Sequence, residues 1–322
     1  MTHFIGTKTR WVLRILSALA IVWLLIALIW SSSNLMGIAA SALGPWLFWF
    51  SLAVIFASIA ARERWLTLVM AAMVLASSLI YRVAPSQMLP AMAGSGSSVK
   101  ILQLNTLLDS ASPTAVAEIA KRKRVDFAVL SETTAAFRPW HNHRLEAELP
   151  YHYSVDATYP NLGNTIYSRY PILHRWQIRG TANPTLVIQA KIGSELITLV
   201  GFRAANPLVN RATWSNDIHA VGAWVKHTVA GRQAIVSGDF NATFGQLPFD
   251  TFVAKTQLTD SAQAVNWAWN RNTFPTQPKN TPIMQIDHTL VPARFKVAST
   301  ETIYVANSDH SATVSQFWFS SK

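Results

Sequence analysis

Near the C-terminus, Ser308-Asp309-His310-Ser311 opens a run of β-forming residues, and well upstream Ser237-Gly238-Asp239-Phe240-Asn241 closes another. Two carboxylate-bearing strand ends of this kind point to metal-assisted hydrolysis, because such polar clusters have no use in the core of a plain sandwich. Leu102-Gln103-Leu104-Asn105 and Val129-Leu130-Ser131-Glu132 add an amide and a third carboxylate in like positions. Taken singly, each residue also fits a local role: Asp239 and Asn241 as turn formers, Asn105 as the head of an Asx-turn.

The elements that must position these groups can be read from the flanking patterns. Strands are expected over 99–104, 127–130, 163–168, 185–191, 195–202, 233–236, 286–291, 301–305 and 313–319. Ser112-Pro113 has the form of an N-cap followed by proline at the first helical position, opening a helix to about Arg124. Residues 207–229 carry Val209, Trp214, Ile218, Val221 and Val225 at helical spacing. Many strands with few helices between them predict two packed sheets with helices outside, an α+β sandwich. Strand ends at one rim of such a sandwich can converge on a single cleft.

The chain has 322 residues and no cysteine, which excludes disulfides, thiolate zinc sites and thiol nucleophiles. Its charge is uneven. Residues 1–82 hold Lys8, Arg10, Arg14, Arg62, Arg64 and Arg82 against one acid, Glu63, leaving the remainder at +6 of the total +11. That mild excess suits a phosphate-bearing substrate or an anionic membrane surface without choosing between them, and it equally suits ordinary solubility. Three apolar stretches, 11–30, 35–60 and 65–81, approach or exceed the length of about 20 residues that a bilayer core requires. They predict a membrane anchor over 1–82, followed by a linker over 83–98 rich in Gly and Ser, then a soluble domain over 99–322. Basic residues precede the first span and separate the second from the third, so the N-terminus is expected in the cytoplasm and the domain on the far side. In a bacterium that is a multi-pass inner-membrane protein with a periplasmic domain. A cleaved signal peptide is the competing reading; the apolar run is too long for it, and the Ala40-Ser41-Ala42 site falls inside the next span.

Leu104-Asn105, Ser131-Glu132, Ser168-Arg169-Tyr170-Pro171, Gly238-Asp239-Phe240-Asn241, Ile286-Asp287-His288 and Ser308-Asp309-His310 occur in that order. In this, residues 99–320 resemble the endonuclease/exonuclease/phosphatase family, and the preceding apolar spans are similar to the layout of a bacterial subgroup. The resemblance implies a four-layer α/β-sandwich of the deoxyribonuclease type and a phosphoesterase using Mg2+, or Mn2+ in its place. It also implies roles. Glu132 would bind the cation with help from Asn105, while Asp239 would position or deprotonate the attacking water. Asn241 would donate to the phosphoryl oxygens, and His310 would bond the phosphate or assist proton transfer. His310 needs an orienting acid. Asp309 is a poor choice, since successive strand side chains point to opposite faces, so Asp287 takes the part and Asp309 is free to lie near the metal. His288 then faces away.

One position departs from the family pattern. Where the strand over 195–202 ends, Arg203 replaces the usual histidine. A guanidinium can hold phosphate but cannot act as an acid near neutral pH, so Arg203 is assigned to substrate binding. Trp140, Trp176, Trp214, Trp224, Trp267 and Trp269 are many for one domain. They suit core packing first, and interfacial insertion or base stacking second. The expected function is hydrolysis of a phosphodiester in a phospholipid, lipid-linked phosphate or nucleic acid, with the bilayer as a partner and no protein partner. The alternative is a catalytically weak or silent domain that binds phosphate-bearing ligands.

Overall fold

The computed structural model describes residues 6–87, 97–136, 138–156, 162–277 and 281–319. Most of the expected linker lies outside these residues. The chain divides into two compact units: Met1–Ala84 with Phe244–Leu247, and Pro85–Thr243 with Pro248–Lys322.

The first unit contains helices α1 (Thr7–Trp30), α2 (Leu35–Ala42), α3 (Gly44–Ala60) and α4 (Arg64–Ile80). Of these, α1 alone is long and apolar enough by itself to cross a membrane, judged by length and composition. The expected second span is broken. Pro45 lacks an N–H and starts a helix readily, so the chain ends α2 at Leu43 and begins α3, bent by 63° from it. The two pass the same test only as a bent pair, and α4, at 17 residues, is shorter than the test requires. The expectation of three like spans is thus corrected to one full-length candidate. Asn34 caps α2 by accepting from the Gly37 amide at 2.8 Å. Glu63, between α3 and α4, pairs with Arg10 and Arg14 of α1 at 3.4 and 3.8 Å.

Among the described residues, the second unit is built on twelve strands: β1 (Ser97–Asn105), β2 (Phe127–Thr133), β3 (Tyr151–Val155), β4 (Gly163–Ser168), β5 (Ile172–Ile178), β6 (Thr185–Ile192), β7 (Glu195–Arg203), β8 (Ala234–Asp239), β9 (Thr259–Asp260), β10 (Asp287–Val291), β11 (Lys296–Ile303) and β12 (Ala312–Phe319). They form two six-stranded sheets, ordered β11-β12-β1-β2-β4-β3 and β5-β6-β7-β8-β10-β9. The connections hold helices α5 (Pro113–Lys123), α6 (Arg138–Leu145), α7 (Arg211–His227), α8 (Val229–Arg232), α9 (Leu247–Thr256) and α10 (Ser261–Val265). Ser112 caps α5 as its sequence signature predicts, accepting from the Ala115 amide.

The core explains where the site falls. Val99 and Ile101 of β1, with Phe127 and Val129 of β2, pack against Ile188, Leu199 and Ile235 of the other sheet. Leu102, Leu104, Ala128 and Leu130, one residue out of phase, pack instead with Val116, Ile119 and Leu145 of α5 and α6. Period-two alternation therefore carries Gln103 and Asn105 onto the face between the sheets. The same count from Leu199, Ile235 and Val291 places Arg203, Asp239 and Asp287 on that face.

Edge strands β3 and β5 are absent from the sequence-based expectation. They are polar and half exposed, as unpaired sheet edges tend to be, and lack the apolar run that marks a buried strand.

Candidate active site

Strand direction brings the functional groups to one rim. β1 and β2 run parallel with Asn105 beside Ser131, and β7 and β8 run parallel with Arg203 beside Asp239. β10 is antiparallel to β8 and sets Asp287 opposite Asp239. β12 is antiparallel to β1, so the segment before it, holding Asp309 and His310, emerges at the end of β1.

Glu132 reaches this rim through a backbone irregularity. Regular alternation from Phe127 and Val129 would turn it toward the helices. Instead its φ is +60° and the β2–β4 register slips between Ser131 and Thr133, which rotates the side chain into the cleft. Asn241 likewise has φ +47°, in the turn where its N–H donates to Asp239 Oδ1 at 2.8 Å.

The groups then meet across the two sheets. Asn105 Nδ2 donates to Glu132 Oε1 at 2.9 Å and to Asp239 Oδ2 at 3.0 Å. Arg203 Nη2 donates to the same Glu132 oxygen at 2.6 Å. Asn241 Nδ2 donates to Ala204 O at 3.1 Å and lies 3.4 Å from Asp239 Oδ2. His310 Nδ1 bonds Asp287 Oδ2 at 2.7 Å, and Gln103 Nε2 donates to the other Asp287 oxygen at 2.6 Å. Asp309 Oδ1 is buried without a hydrogen-bond partner, 3.8 Å from His310 Nε2. All eight residues singled out in the sequence, Asn105, Glu132, Arg203, Asp239, Asn241, Asp287, Asp309 and His310, thus lie around one cleft.

Three supporting residues were not assigned roles from sequence. Gln103 is one, two residues before Asn105 and therefore on its face. Ser308 Oγ donates to Asn105 O at 2.7 Å and accepts from the His310 amide at 3.0 Å, tying the His310 loop to β1. Phe274 packs on the His310 ring with centroids 4.9 Å apart. His288 turns to the far side of β10, where its ring bonds Asp260 at 2.7 Å and Ala242 O at 2.8 Å. Trp214 is core, its Nε1 donating to Phe240 O at 3.1 Å, while Trp267 and Trp269 stack on each other at 5.0 Å.

Burial and charge set the protonation states. Burial pushes Asp239 up to about 6, with repulsion from Asp287 adding to it. Burial would lower His310, but the Asp287 carboxylate against Nδ1 outweighs it and raises the imidazole to about 9. Asp287 shows the converse: burial raises it, the His310 charge more than compensates, and its value falls below that of an ordinary aspartate. Burial also raises Asp309, and the nearby Glu132 and Asp287 charges add to the rise.

Two oxygen-rich groupings could hold a cation. Asp239, Asp287 and His310 offer ligand atoms within 4.8 Å of one another. Their atoms are already engaged, however, with Nδ1 and both Asp287 oxygens committed to hydrogen bonds. Glu132, Asn105 and Asp309 offer a second set for a hard divalent cation: Asp309 Oδ1 is buried and unsatisfied, Glu132 accepts both its donors on Oε1, and Asn105 Oδ1 accepts from the Leu107 amide at 3.0 Å.

Comparison with known proteins accords with this architecture. The profile described as the Endonuclease/Exonuclease/phosphatase family matches residues 102–310. Among curated proteins nothing matches. Among solved structures, an endonuclease/exonuclease/phosphatase family protein from Bacteroides thetaiotaomicron superposes with a TM-score of 0.56 at 16% identity, covering 71% of this chain and 100% of its own. A mannosyl-6-phosphatase from Bacteroides thetaiotaomicron VPI-5482 gives 0.54 at 16% identity, covering 69% of this chain and 100% of its own. A humanized D. rerio TDP2 gives 0.51 at 16% identity, covering 68% and 98%. At these identities the likeness to the solved structures is one of fold.

Proposed function

The chain belongs to the endonuclease/exonuclease/phosphatase family, and we propose on that premise that it is a membrane-anchored, divalent-metal-dependent phosphodiesterase. One observation carries the reading: an amide, carboxylates and an imidazole from both sheets converge on one cleft, with His310 held by Asp287 at 2.7 Å.

Each group has a task that its surroundings suit. Asp239, once ionised, orients a water and accepts its proton. Asn241 swings its amide from Ala204 O toward a phosphoryl oxygen as charge builds there. His310, kept protonated by Asp287, donates through Nε2 to the phosphate. Arg203 contributes a fixed positive charge beside the scissile group. Glu132, Asn105 and Asp309 would hold Mg2+, or Mn2+, whose charge would stabilise the phosphoryl and leaving oxygens when bound.

Anchoring rests on α1. The Arg10 and Arg14 contacts to Glu63 set the start of α1 beside the connection between α3 and α4. Both basic segments thus lie at one end of the helical unit, the arrangement that the positive-inside rule favours in the cytoplasm. An odd number of crossings then delivers the catalytic domain to the periplasm.

Arg203 supports one rival reading. By engaging Glu132 at 2.6 Å it competes with a cation for that carboxylate, as a domain that binds phosphoesters without hydrolysing them could also do. Purified protein distinguishes the two. Magnesium-dependent turnover of bis-p-nitrophenyl phosphate, lost in Asp239→Ala and in His310→Ala, is the expected result. Binding of phosphoesters with no turnover of any diester or monoester supports the rival.

A further inference from the structure

Asp287 faces the cleft and its neighbour His288 faces the other way, so the strand that orients His310 carries a second imidazole behind the site. His288 is 1% exposed and meets an acceptor at each ring nitrogen. Nδ1 lies 2.7 Å from Asp260 Oδ2, and Nε2 lies 2.8 Å from Ala242 O. A carbonyl oxygen only accepts, so Nε2 carries a proton and donates it. The ring is wedged in place, with its centroid 4.2 Å from that of Phe249 and 5.6 Å from that of Phe240. Asp260 is itself fixed. It caps α10 by accepting from the Gln263 amide at 2.7 Å, and Gln285 Nε2 donates to it at 3.3 Å.

Ala242 closes the turn that presents Asp239 and Asn241. The start of that turn is held by the β8–β10 ladder, where His288 pairs with Gly238. Its middle is held at Phe240, whose amide donates to Ile286 O at 2.9 Å and whose carbonyl accepts from Trp214 Nε1 at 3.1 Å. Beyond Asn241 the hold passes to His288. Asn241 sits at φ +47°, a left-handed conformation that costs energy unless the surrounding structure fixes it. Ala242 is fully buried, so its carbonyl has no water to turn to if the imidazole donor is lost.

We propose that His288 is a positioning residue: by tying Ala242 O to Asp260 through its two ring nitrogens, it fixes the turn that aims Asp239 at the attacking water and Asn241 at the phosphoryl oxygen. This role rests on the phosphoesterase reading above. His288 itself lies behind the cleft and acts through the turn. Aim matters to rate, since misplacing a reacting group by about 1 Å costs about a hundredfold. Asp239 and Asn241 act on the water and on charge that develops in the transition state, so the effect belongs to kcat rather than to KM.

The two nitrogens can be tested apart in the full chain with Mg2+. The terminal amide of glutamine reaches the place of Nε2, and that of asparagine the place of Nδ1. His288→Gln should therefore keep the donor to Ala242 O and hydrolyse bis-p-nitrophenyl phosphate with kcat within about fivefold of the parent. His288→Asn should keep the Asp260 partner, abandon Ala242 O, and drop kcat about thirtyfold or more at a KM within about twofold. Asp260→Asn leaves the imidazole whole and guards against a fold too fragile for either change to His288. Its unfolding midpoint should fall while kcat stays within about threefold of the parent. Equal kcat in the two His288 variants, or a loss in Asp260→Asn as large as in His288→Asn, overturns the proposal and leaves His288 a stability residue. Deuterium uptake over residues 239–243 reads the same hold without turnover: His288→Asn should speed it about tenfold or more, and His288→Gln should not. Unchanged uptake in His288→Asn overturns the proposal. Faster uptake there, in a chain whose parent hydrolyses no phosphoester, sinks the phosphoesterase reading and leaves the hold on the turn in place.

Discussion

His310 and Asp287 behave as one ionic unit, and their pH dependence follows from the direction of each shift. His310 has a folded value of about 9, above the ordinary imidazole 6.5, so its contribution to stability is complete below about pH 6.5 and is lost as pH rises through 9. Asp287 is depressed below its ordinary 3.8, so its contribution is present above that value and disappears as pH falls through the lower, folded one. Denaturant titrations should therefore show stability falling between pH 6.5 and 9 in the parent chain. Asp287→Asn should flatten that slope and, by stranding a buried imidazolium, lower stability at pH 6 by about 3 kcal/mol or more. A slope that survives the substitution would assign it elsewhere. Catalysis has its own limb: Asp239 must lose a proton whose value burial has raised to about 6, so turnover should climb as pH passes that point. Asp239→Asn should abolish the limb together with about a thousandfold of rate. Chelation of divalent ions should silence the parent, and added Mg2+ should restore it. Much of this site was legible as residues, because Asn105, Asp239 and Asp287 end or begin strands whose apolar partners betray the inward face. Glu132 was legible only as part of a motif. A glutamate with φ +60° leaves no mark in the sequence, and strict alternation would have turned it to the wrong side.

At the scale of elements, the close approach of β7 and β8 sets the spacing of Arg203 and Asp239. Gly238 sits at φ +155° with its backbone pressed on Phe202, and a Cβ there would lie 1.8 Å from the Phe202 carbonyl oxygen. Both strands are central in their sheet and paired in parallel, so neither can retreat. Gly238→Ala should cost about 3 kcal/mol or more, read as a fall in the unfolding midpoint, and should reduce turnover by displacing Asp239 and Asn241. An alanine variant as stable as the parent would mean that the strand pair yields. The fully buried strands were readable from sequence because a run such as Leu199–Phe202 or Ile235–Val236 has no polar interruption. The edges β3 and β5 were not, since half-exposed strands such as Ile172–Ile178 carry His174, Arg175 and Gln177 within them. The helix expected over 207–229 begins later, at Arg211, because Asn210 caps it by accepting from the Thr213 amide.

The proposed anchoring sets which side of a membrane the domain occupies. The break at Leu43 was not legible beforehand, although Gly44-Pro45 stood at it, because glycine and proline are tolerated inside lipid-embedded helices as well as at their ends. Under the proposed anchoring, with α1 the one full-length candidate span, the charge distribution is the argument for orientation. Lys8, Arg10 and Arg14 lie at one end of α1, and Ser31-Ser32-Ser33-Asn34 at the other carries no charge. The pairing of Arg10 and Arg14 with Glu63 adds Arg62 and Arg64 to the same end, so a cytoplasmic N-terminus satisfies all five cations at once. A phosphatase reporter that works only outside the cytoplasm, joined after Tyr81, should be active in a bacterial host, and one joined after Asn34 should be active as well. Joined after Arg62, it should be silent, because the Glu63 pairs set this segment at the N-terminal end of α1; activity there would refute a return of the chain through the bent α2–α3 pair. Replacing Ser32 and Ser33 by lysine, with Lys8, Arg10 and Arg14 changed to glutamine, should invert the pattern. A reporter after Tyr81 that is active only in the cytoplasm would refute the periplasmic placement and confine the enzyme to substrates of the inner leaflet.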